Sequence, residues 1–207
     1  MFDVVSALLL SLSLFLQEPG ATIPGLPNWS VALGLNPQGR VQSLLVYKGQ
    51  QLAQTLDVCT EEPVARADPV GTMATADFNF DGFFDLALQV ASEKSNQRFC
   101  VWLFDSQTRQ FEASSQLSQL TNPVADPKTR TVVSTTFLRC TYCYERQEFR
   151  WSGKQLELIR EQSLTMDPLS VGTGGCQFIL TVKERKNGEM QETSRERANS
   201  FGTRCPY

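Results

Sequence analysis

Short segments with strand character follow one another along most of the chain, and this succession constrains the fold more than any other feature. From about residue 30 onward, β-branched, aromatic or alternating apolar segments are separated by Gly, Pro, Asn and Asp. The pair Asn187-Gly188 is typical of a two-residue hairpin turn. The pattern predicts an all-β, antiparallel architecture, either a sandwich, a barrel or a propeller-like fold. The predicted strands are residues 41–47, 51–58, 85–91, 99–104, 131–137, 148–151, 155–160, 176–184 and 189–197.

Three segments refine this picture. Residues 99–104 (FCVWLF) are apolar on both faces, which predicts a central strand that is covered on both sides. Residues 112–120 form the one predicted helix, which is short and rich in serine. Two prolines, Pro123 and Pro127, predict an ordered loop over residues 122–127 because each fixes the local backbone.

An apolar run at residues 4–16 (VVSALLLSLSLFL) predicts an export signal. The run is too short to span a bilayer but matches the apolar part of a secretory leader. A buried N-terminal strand and an uncleaved anchor are the alternatives. We therefore expect a leader over residues 1–22, a single all-β domain over residues 23–207, a periplasmic or secreted location, and no stable membrane span once the leader is removed.

Charge and residue composition narrow the class of function. Lys and Arg total 19 and Asp and Glu total 22, so there is no basic excess for binding nucleic acid or anionic membranes. The chain contains no histidine, which removes the commonest general base and zinc ligand. We therefore expect a binding protein rather than an enzyme.

Six cysteines support export, because an oxidising compartment would allow all of them to pair. The candidates for disulfide formation are Cys59, Cys100, Cys140, Cys143, Cys176 and Cys205. The Cys-x-x-Cys spacing at 140–143 also fits zinc binding or a redox motif. Zinc sites usually need a second such pair, and the other four cysteines are scattered, so we predict a Cys140–Cys143 disulfide.

An acidic loop at residues 77–85 (DFNFDGFFD) carries oxygen side chains at relative positions 1, 3, 5 and 9 and glycine at position 6. Calcium takes six to eight oxygen ligands, and alternate residues of a tight loop converge on one centre. The sequence predicts one structural Ca²⁺ site, in which nearby phenylalanines dock the loop onto the core. Position 12 is Leu88 and a strand pattern follows, so the loop is not an EF-hand. The predicted ligands are Asp77, Asn79, Asp81, the carbonyl of Phe83, and Asp85.

Several stretches resemble a family of small periplasmic bacterial proteins with one FG-GAP-like calcium motif. The likeness is carried by residues 77–88 (DFNFDGFFDLAL), 102–111 (WLFDSQTRQF), 117–127 (LSQLTNPVADP) and 148–161 (EFRWSGKQLELIRE), with residues 178–190 as a closing hairpin. The family includes immunity proteins against peptidoglycan hydrolases that type IV secretion systems deliver. The resemblance implies a propeller-like or sandwich-like fold and a relation to periplasmic lysozyme inhibitors.

In such inhibitors a loop enters the hydrolase cleft and occupies its catalytic carboxylates. By position, the resemblance assigns this role to residues 138–147. The partner-binding residues it implies are Arg139, Tyr142, Tyr144, Glu145 and Arg146, and Arg and Tyr are enriched at interface hot spots. The predicted partner is a cell-wall hydrolase. The alternative is a calcium-stabilised adhesion or glycan-binding module, with exposed aromatic residues such as Trp29 and Trp151 as its contacts.

Overall fold

The computed structural model describes residues 21–65, 71–93, 95–140, 142–167 and 177–198. Within these ranges the chain forms three antiparallel sheets that do not close into a barrel. The first sheet contains β1 (Ala21–Thr22), β2 (Trp29–Leu35), β3 (Val41–Lys48) and β4 (Gln51–Asp57). The middle sheet contains β5 (Met73–Ala76), β6 (Asp85–Glu93), β7 (Asn96–Asp105) and β8 (Gln110–Ala113). The last sheet contains β9 (Val124–Asp126), β10 (Thr131–Phe137), β11 (Tyr144–Ser152), β12 (Gln155–Met166), β13 (Phe178–Lys186) and β14 (Glu189–Ala198).

Each sheet pairs its strands in chain order, so every described sheet is a meander. The predicted all-β, antiparallel class is confirmed, and the stacked sheets are consistent with a sandwich. The hairpin turn between β13 and β14 is also confirmed: Asn187 and Gly188 both have positive φ, 52° and 87°, as a turn that matches the twist of its strands requires.

The middle sheet is covered on both faces, as the apolar segment at 99–104 predicted. Leu86 and Trp102 pack in one hydrophobic cluster with the first sheet. Ala87 and Val101, which point the opposite way, pack in a second cluster with the last sheet. Because successive side chains of a strand face opposite sides, one apolar run supplies both cores. A disulfide between Cys59 and Cys100 adds a covalent link between the segment after β4 and β7.

The predicted helix over residues 112–120 is wrong in its bounds. Helix α1 (Ser115–Ser118) has four residues, and its N-cap Ser114 accepts a hydrogen bond from the N–H of Leu117 at 3.4 Å. The first part of the prediction belongs to β8, because Phe111 is buried opposite Phe104 and extends the strand pairing to Ala113. Part of the predicted loop at 122–127 is likewise strand β9, which pairs with β10.

Two predictions fall on residues that the structure does not describe. The leader at 1–22 lies almost wholly outside the described ranges, and so do Cys176 and Cys205. In the part of the chain that is described, no helix is long and apolar enough to cross a membrane.

Candidate functional site

The acidic loop connects β5 to β6 and is held in shape by its own side chains. Asp77 accepts hydrogen bonds from the backbone N–H groups of Asp81 at 3.1 Å and Gly82 at 3.0 Å. Asn79 Oδ1 accepts from the same Asp81 N–H at 3.2 Å, so the Asp77 and Asn79 oxygens converge on one point. Asp81 accepts from the Phe83 N–H at 2.9 Å and from the Asn79 amide at 3.0 Å. Gly82 has φ +92°, which glycine adopts without steric cost.

Asp85, at predicted position 9, lies beneath the loop rather than on its surface. It is fully buried, and its two oxygens accept the backbone N–H groups of Phe78 at 2.7 Å and Phe104 at 2.9 Å. Burial raises the pKa of Asp85 to about 7, against the lowering effect of these two hydrogen bonds, and the nearby Asp81 and Asp77 raise it further. Asp85 therefore ties the loop to the middle sheet in addition to being a candidate ligand.

The donor set of the loop fits a hard cation only if amide and carbonyl oxygens contribute. Within the described ranges, no three Asp, Glu, Cys or His side chains form a group that could hold a metal ion. The converging oxygens of Asp77, Asn79 and Asp81, together with the predicted Phe83 carbonyl, are of the kind that Ca²⁺ selects, because Ca²⁺ accepts carboxylate, amide and carbonyl oxygens in flexible geometry. Each Asp85 oxygen already accepts one N–H and retains one lone pair for a cation.

The phenylalanines of the loop dock it onto both cores, as predicted. Phe78 is buried, and Phe78 and Phe80 pack in the cluster between the middle and last sheets. Phe83 and Phe84 pack against the cluster between the first and middle sheets. A loop anchored on both sides of the middle sheet couples its own conformation to the packing of all three sheets.

Trp151 in β11 and Arg130 in the turn between β9 and β10 hold the loop, and sequence reasoning did not assign them this role. The indole N–H of Trp151 donates to the Phe78 carbonyl at 2.8 Å. Arg130 donates to the Phe80 carbonyl at 2.8 Å, and its guanidinium lies 5.8 Å from the centre of the Phe80 ring. Phe80 has φ +60°, a conformation that is costly for a bulky residue, and Arg130 holds both its carbonyl and its ring. These partners are separated by 50 and 73 residues, so no local sequence pattern reveals them.

The predicted partner loop joins β10 to β11 and is closed by a disulfide between Cys140 and Cys143. This confirms the predicted bridge and excludes zinc binding by this pair as long as it is oxidised. Backbone hydrogen bonds from Leu138 to Cys143 at 2.9 Å and from Cys143 to Cys140 at 3.1 Å tighten the same turn. The bridge and these hydrogen bonds restrain the described residues of the loop.

The five predicted partner-binding residues divide into two groups. Arg139, Tyr142 and Glu145 are exposed, Tyr142 to 41%. Tyr144 accepts a hydrogen bond from the Gln162 amide at 2.9 Å, and Arg146 lies 3.5 Å from the Glu148 carboxylate. Tyr144 is engaged within the last sheet, whereas the Arg146 side chain is 43% exposed beside Glu148 of the same strand and so remains accessible, like the first group.

An apolar cluster supports the disulfide-closed loop from below. Tyr142 meets Phe178 edge to face with ring centres 6.1 Å apart. Cys143 and Phe178 are buried, and Leu138, Cys140, Leu164 and Met166 pack against them. Phe137, at the end of β10, is 47% exposed beside this cluster. The loop thus combines exposed aromatic rings with the Arg139 charge on a packed base.

A cleft of about 530 Å³ opens at the other end of β11. It is bounded by the acidic loop, the β7–β8 turn, the start of α1 and the β11–β12 turn, with Trp151 in its wall. The prediction that Trp29 is a glycan contact is wrong, because its side chain is 6% exposed and packs edge to face against Phe104 and Phe111. Trp151 is partly exposed and lines the cleft.

A solved structure, described as a Xanthomonas type IV secretion system related protein, is similar to this chain in fold. The TM-score is 0.57 at 14% sequence identity, and the match covers 84% of this chain and 97% of that chain. At this identity the likeness shows the fold alone. The sequence matches no protein-family model and no curated protein, so membership of the FG-GAP-like family stays a prediction.

Proposed function

We propose that this chain is an exported, calcium-stabilised protein that inhibits a lysozyme-like peptidoglycan hydrolase through its disulfide-closed loop. The observation that carries the proposal is the loop itself: a covalently closed turn that presents Arg139 and Tyr142 on a packed apolar base. The fold it shares with a type IV secretion system related protein supports the same setting. Two described disulfides agree with an oxidising compartment.

The chemistry of the target cleft explains why such a loop would inhibit. Lysozyme-like clefts place two carboxyl groups across the scissile glycosidic bond, one of them ionised. The planar guanidinium of Arg139 can pair with an ionised carboxylate through two parallel hydrogen bonds. Tyr142 would fill a neighbouring sugar subsite with a rigid ring at low cost in conformational entropy. Tyr144, which is bonded to Gln162, would hold the loop in place from β11, whereas the half-exposed Arg146 is a second candidate for contact with the hydrolase.

The disulfide contributes by lowering the cost of binding. Each flexible side chain or loop segment that is immobilised at an interface costs about 0.5–1.5 kcal/mol. A turn that is already closed between Cys140 and Cys143 avoids part of this cost. The double substitution C140S/C143S should therefore weaken inhibition while leaving the fold intact.

The exposed aromatic residues favour a protein partner over the adhesion alternative. A flat adhesion surface would need a row of exposed rings. Among the described residues, the large aromatics that are clearly exposed are Phe137 and Tyr142, and both lie at the disulfide-closed loop. An apolar and cationic tip of this kind is better suited to insertion into a cleft than to lying on a glycan strand.

Inhibition assays against a panel of peptidoglycan hydrolases test the proposal. Charge reversal by Arg139→Glu should weaken inhibition by about 2–5 kcal/mol, because a buried carboxylate would then face a like charge. Tyr142→Ala should also weaken it. Arg195→Glu, at an exposed arginine of β14, is the matched control and should have no effect. A folded wild-type protein that inhibits none of the hydrolases would refute the proposal, and inhibition indifferent to both loop changes would place the contact elsewhere.

Calcium binding is tested separately by thermal unfolding with and without chelator. A cation that binds only the native state at 100 times its Kd adds about 2.7 kcal/mol of stability. Asp81→Ala should abolish the calcium-dependent rise in Tm, whereas Asp57→Ala, at an exposed position at the end of β4, should preserve it. An identical Tm with and without calcium in the wild type would show that the loop is held by its hydrogen bonds alone.

A further inference from the structure

We propose that the cleft beside the acidic loop is a second binding site, and that it takes a neutral saccharide of about two sugar rings. Its volume of about 530 Å³ is within the range of small-molecule sites and exceeds what a single sugar ring fills. The cleft and the disulfide-closed loop are at opposite ends of β11: Tyr144 and Trp151 are seven residues apart along the strand, or about 23 Å at about 3.3 Å per residue. The proposal therefore stands independently of the inhibitory loop.

Trp151 gives the cleft a fixed aromatic wall. Its indole N–H is held by the Phe78 carbonyl at 2.8 Å, and part of its ring packs in the cluster between the middle and last sheets. The rest of the side chain is accessible and lines the cleft. A ring that is already fixed in place offers its apolar surface to a ligand at little entropic cost.

Free polar groups face this wall. Glu112 pairs across the strands with Leu103, so its side chain stands on the face where Trp151 packs. Gln107 lies in the turn after β7. In the described part of the chain, neither side chain makes a hydrogen bond or ion pair. A carboxylate that accepts and an amide that both donates and accepts suit the mixed hydrogen bonding of sugar hydroxyls.

The net charge of the residues that line the cleft disfavours the binding of anions. Apart from Asp81, which is a predicted calcium ligand, Asp105 and Glu112 bring two carboxyl groups to the cleft, and Lys154 brings one ammonium group. Hydrogen bonds from the backbone, first of all from the Gln107 N–H, hold the pKa of Asp105 below its ordinary value, so this group is ionised at neutral pH. The negative balance disfavours phosphate and acidic sugars. The aromatic wall and the mixed donors and acceptors favour a neutral, polyhydroxylated ligand over a bare cation.

Tryptophan fluorescence provides a direct assay, because the chain has three tryptophans and only one of them is accessible at the cleft. Trp29 and Trp102 are 6% and 2% exposed, so a change on adding sugar reports on Trp151. The probes are the neutral disaccharides diacetylchitobiose, cellobiose and maltose, with trilysine as a cationic probe and calorimetry as a second measurement. We expect a saturable change with at least one disaccharide and none with trilysine.

Substitutions locate the site. Glu112→Gln keeps the side-chain shape and should weaken sugar binding about 10-fold or more, since it removes a charged acceptor. Gln107→Ala, in an exposed turn, should also weaken it, and Glu189→Gln, at an exposed glutamate in β14, should not. Hydrolase inhibition should be unchanged in all three variants, which separates this site from the proposed inhibitory loop. Binding of trilysine in place of sugar, no saturable binding of any disaccharide, or sugar binding indifferent to Glu112→Gln and Gln107→Ala would each overturn the proposal.

Discussion

The buried carboxylate of Asp85 should be the most sensitive single side chain of the acidic loop, independently of calcium. It is fully buried and satisfies two backbone N–H groups, that of Phe78 in the loop and that of Phe104 in β7. Leaving a buried donor without a partner costs about 1–3 kcal/mol. Asp85→Ala removes both acceptors, so we expect a loss of about 2–6 kcal/mol in the free energy of unfolding.

Asp85→Asn gives a finer measurement. The side chain keeps its size and one acceptor oxygen, but its NH₂ group then faces a backbone N–H that has lost its acceptor. We expect a loss of about 1–3 kcal/mol, from one unsatisfied donor. Whole domains are stable by only about 5–15 kcal/mol, so the Ala variant is at risk of unfolding while the Asn variant remains measurable.

Urea denaturation in the presence of a chelator isolates this effect from any role of Asp85 as a ligand. Asp57→Asn is the control, because Asp57 is exposed at the end of β4 and should change stability by no more than about 0.5 kcal/mol. Repeating both measurements with calcium gives the additional contribution of Asp85 to cation binding. If Asp85→Asn costs no more than Asp57→Asn in chelator, the two hydrogen bonds do not anchor the loop and the reasoning fails.

Two further predictions concern the cross-links and the pH dependence. Removing the Cys59–Cys100 bridge, which spans 41 residues, should lower the free energy of unfolding by about 4 kcal/mol, and removing Cys140–Cys143, which spans 3 residues, by about 1.5 kcal/mol. The reason is that a longer closed loop restricts the unfolded chain more. Equal losses in denaturation of the two double-alanine variants would contradict this order. In the last sheet, the Lys183 ammonium lies 2.9 Å from Glu161 and is the main cause of the lowered pKa of that carboxyl. Because the folded pKa lies below the ordinary value of 4.5, the stabilisation is present above about pH 4.5 and is lost as the pH falls through the folded pKa. Lys183→Met should therefore lower the free energy of unfolding by up to about 1 kcal/mol at neutral pH, because both groups are partly exposed, and should not change it in strong acid. A loss that does not depend on pH in denaturation experiments would assign the effect to packing instead.

Local patterns in the sequence determined most of the strands. The segment 131–137 forms β10 at the predicted bounds, and Asn187-Gly188 forms the predicted hairpin turn. In both cases, the information is contained within a few adjacent residues. The helix at 112–120 was misplaced because burial of Phe111 against Phe104, a tertiary contact, extends β8 into its first residues.

The acidic loop shows where local information ends. Its spacing of oxygen side chains and glycine identified the residues, and the structure brings Asp77, Asn79 and Asp81 together through hydrogen bonds between near neighbours. The sequence alone did not distinguish Asp85 from the other three. Its burial depends on Phe104, which is 19 residues away and reaches it only when β6 and β7 pair.

The partner loop and the cleft depend still more on tertiary structure. The pairing of β11 with β12 brings Gln162 to Tyr144, so tertiary structure decided that this one of the five predicted contact residues is engaged within the last sheet. Trp151 reaches the loop across 73 residues, and the cleft it lines exists only where the middle and last sheets meet. Periodicity and turn residues act over a few positions and are written in the sequence, whereas burial, and the pairing of polar groups that burial requires, are set by segments that meet only in the folded chain.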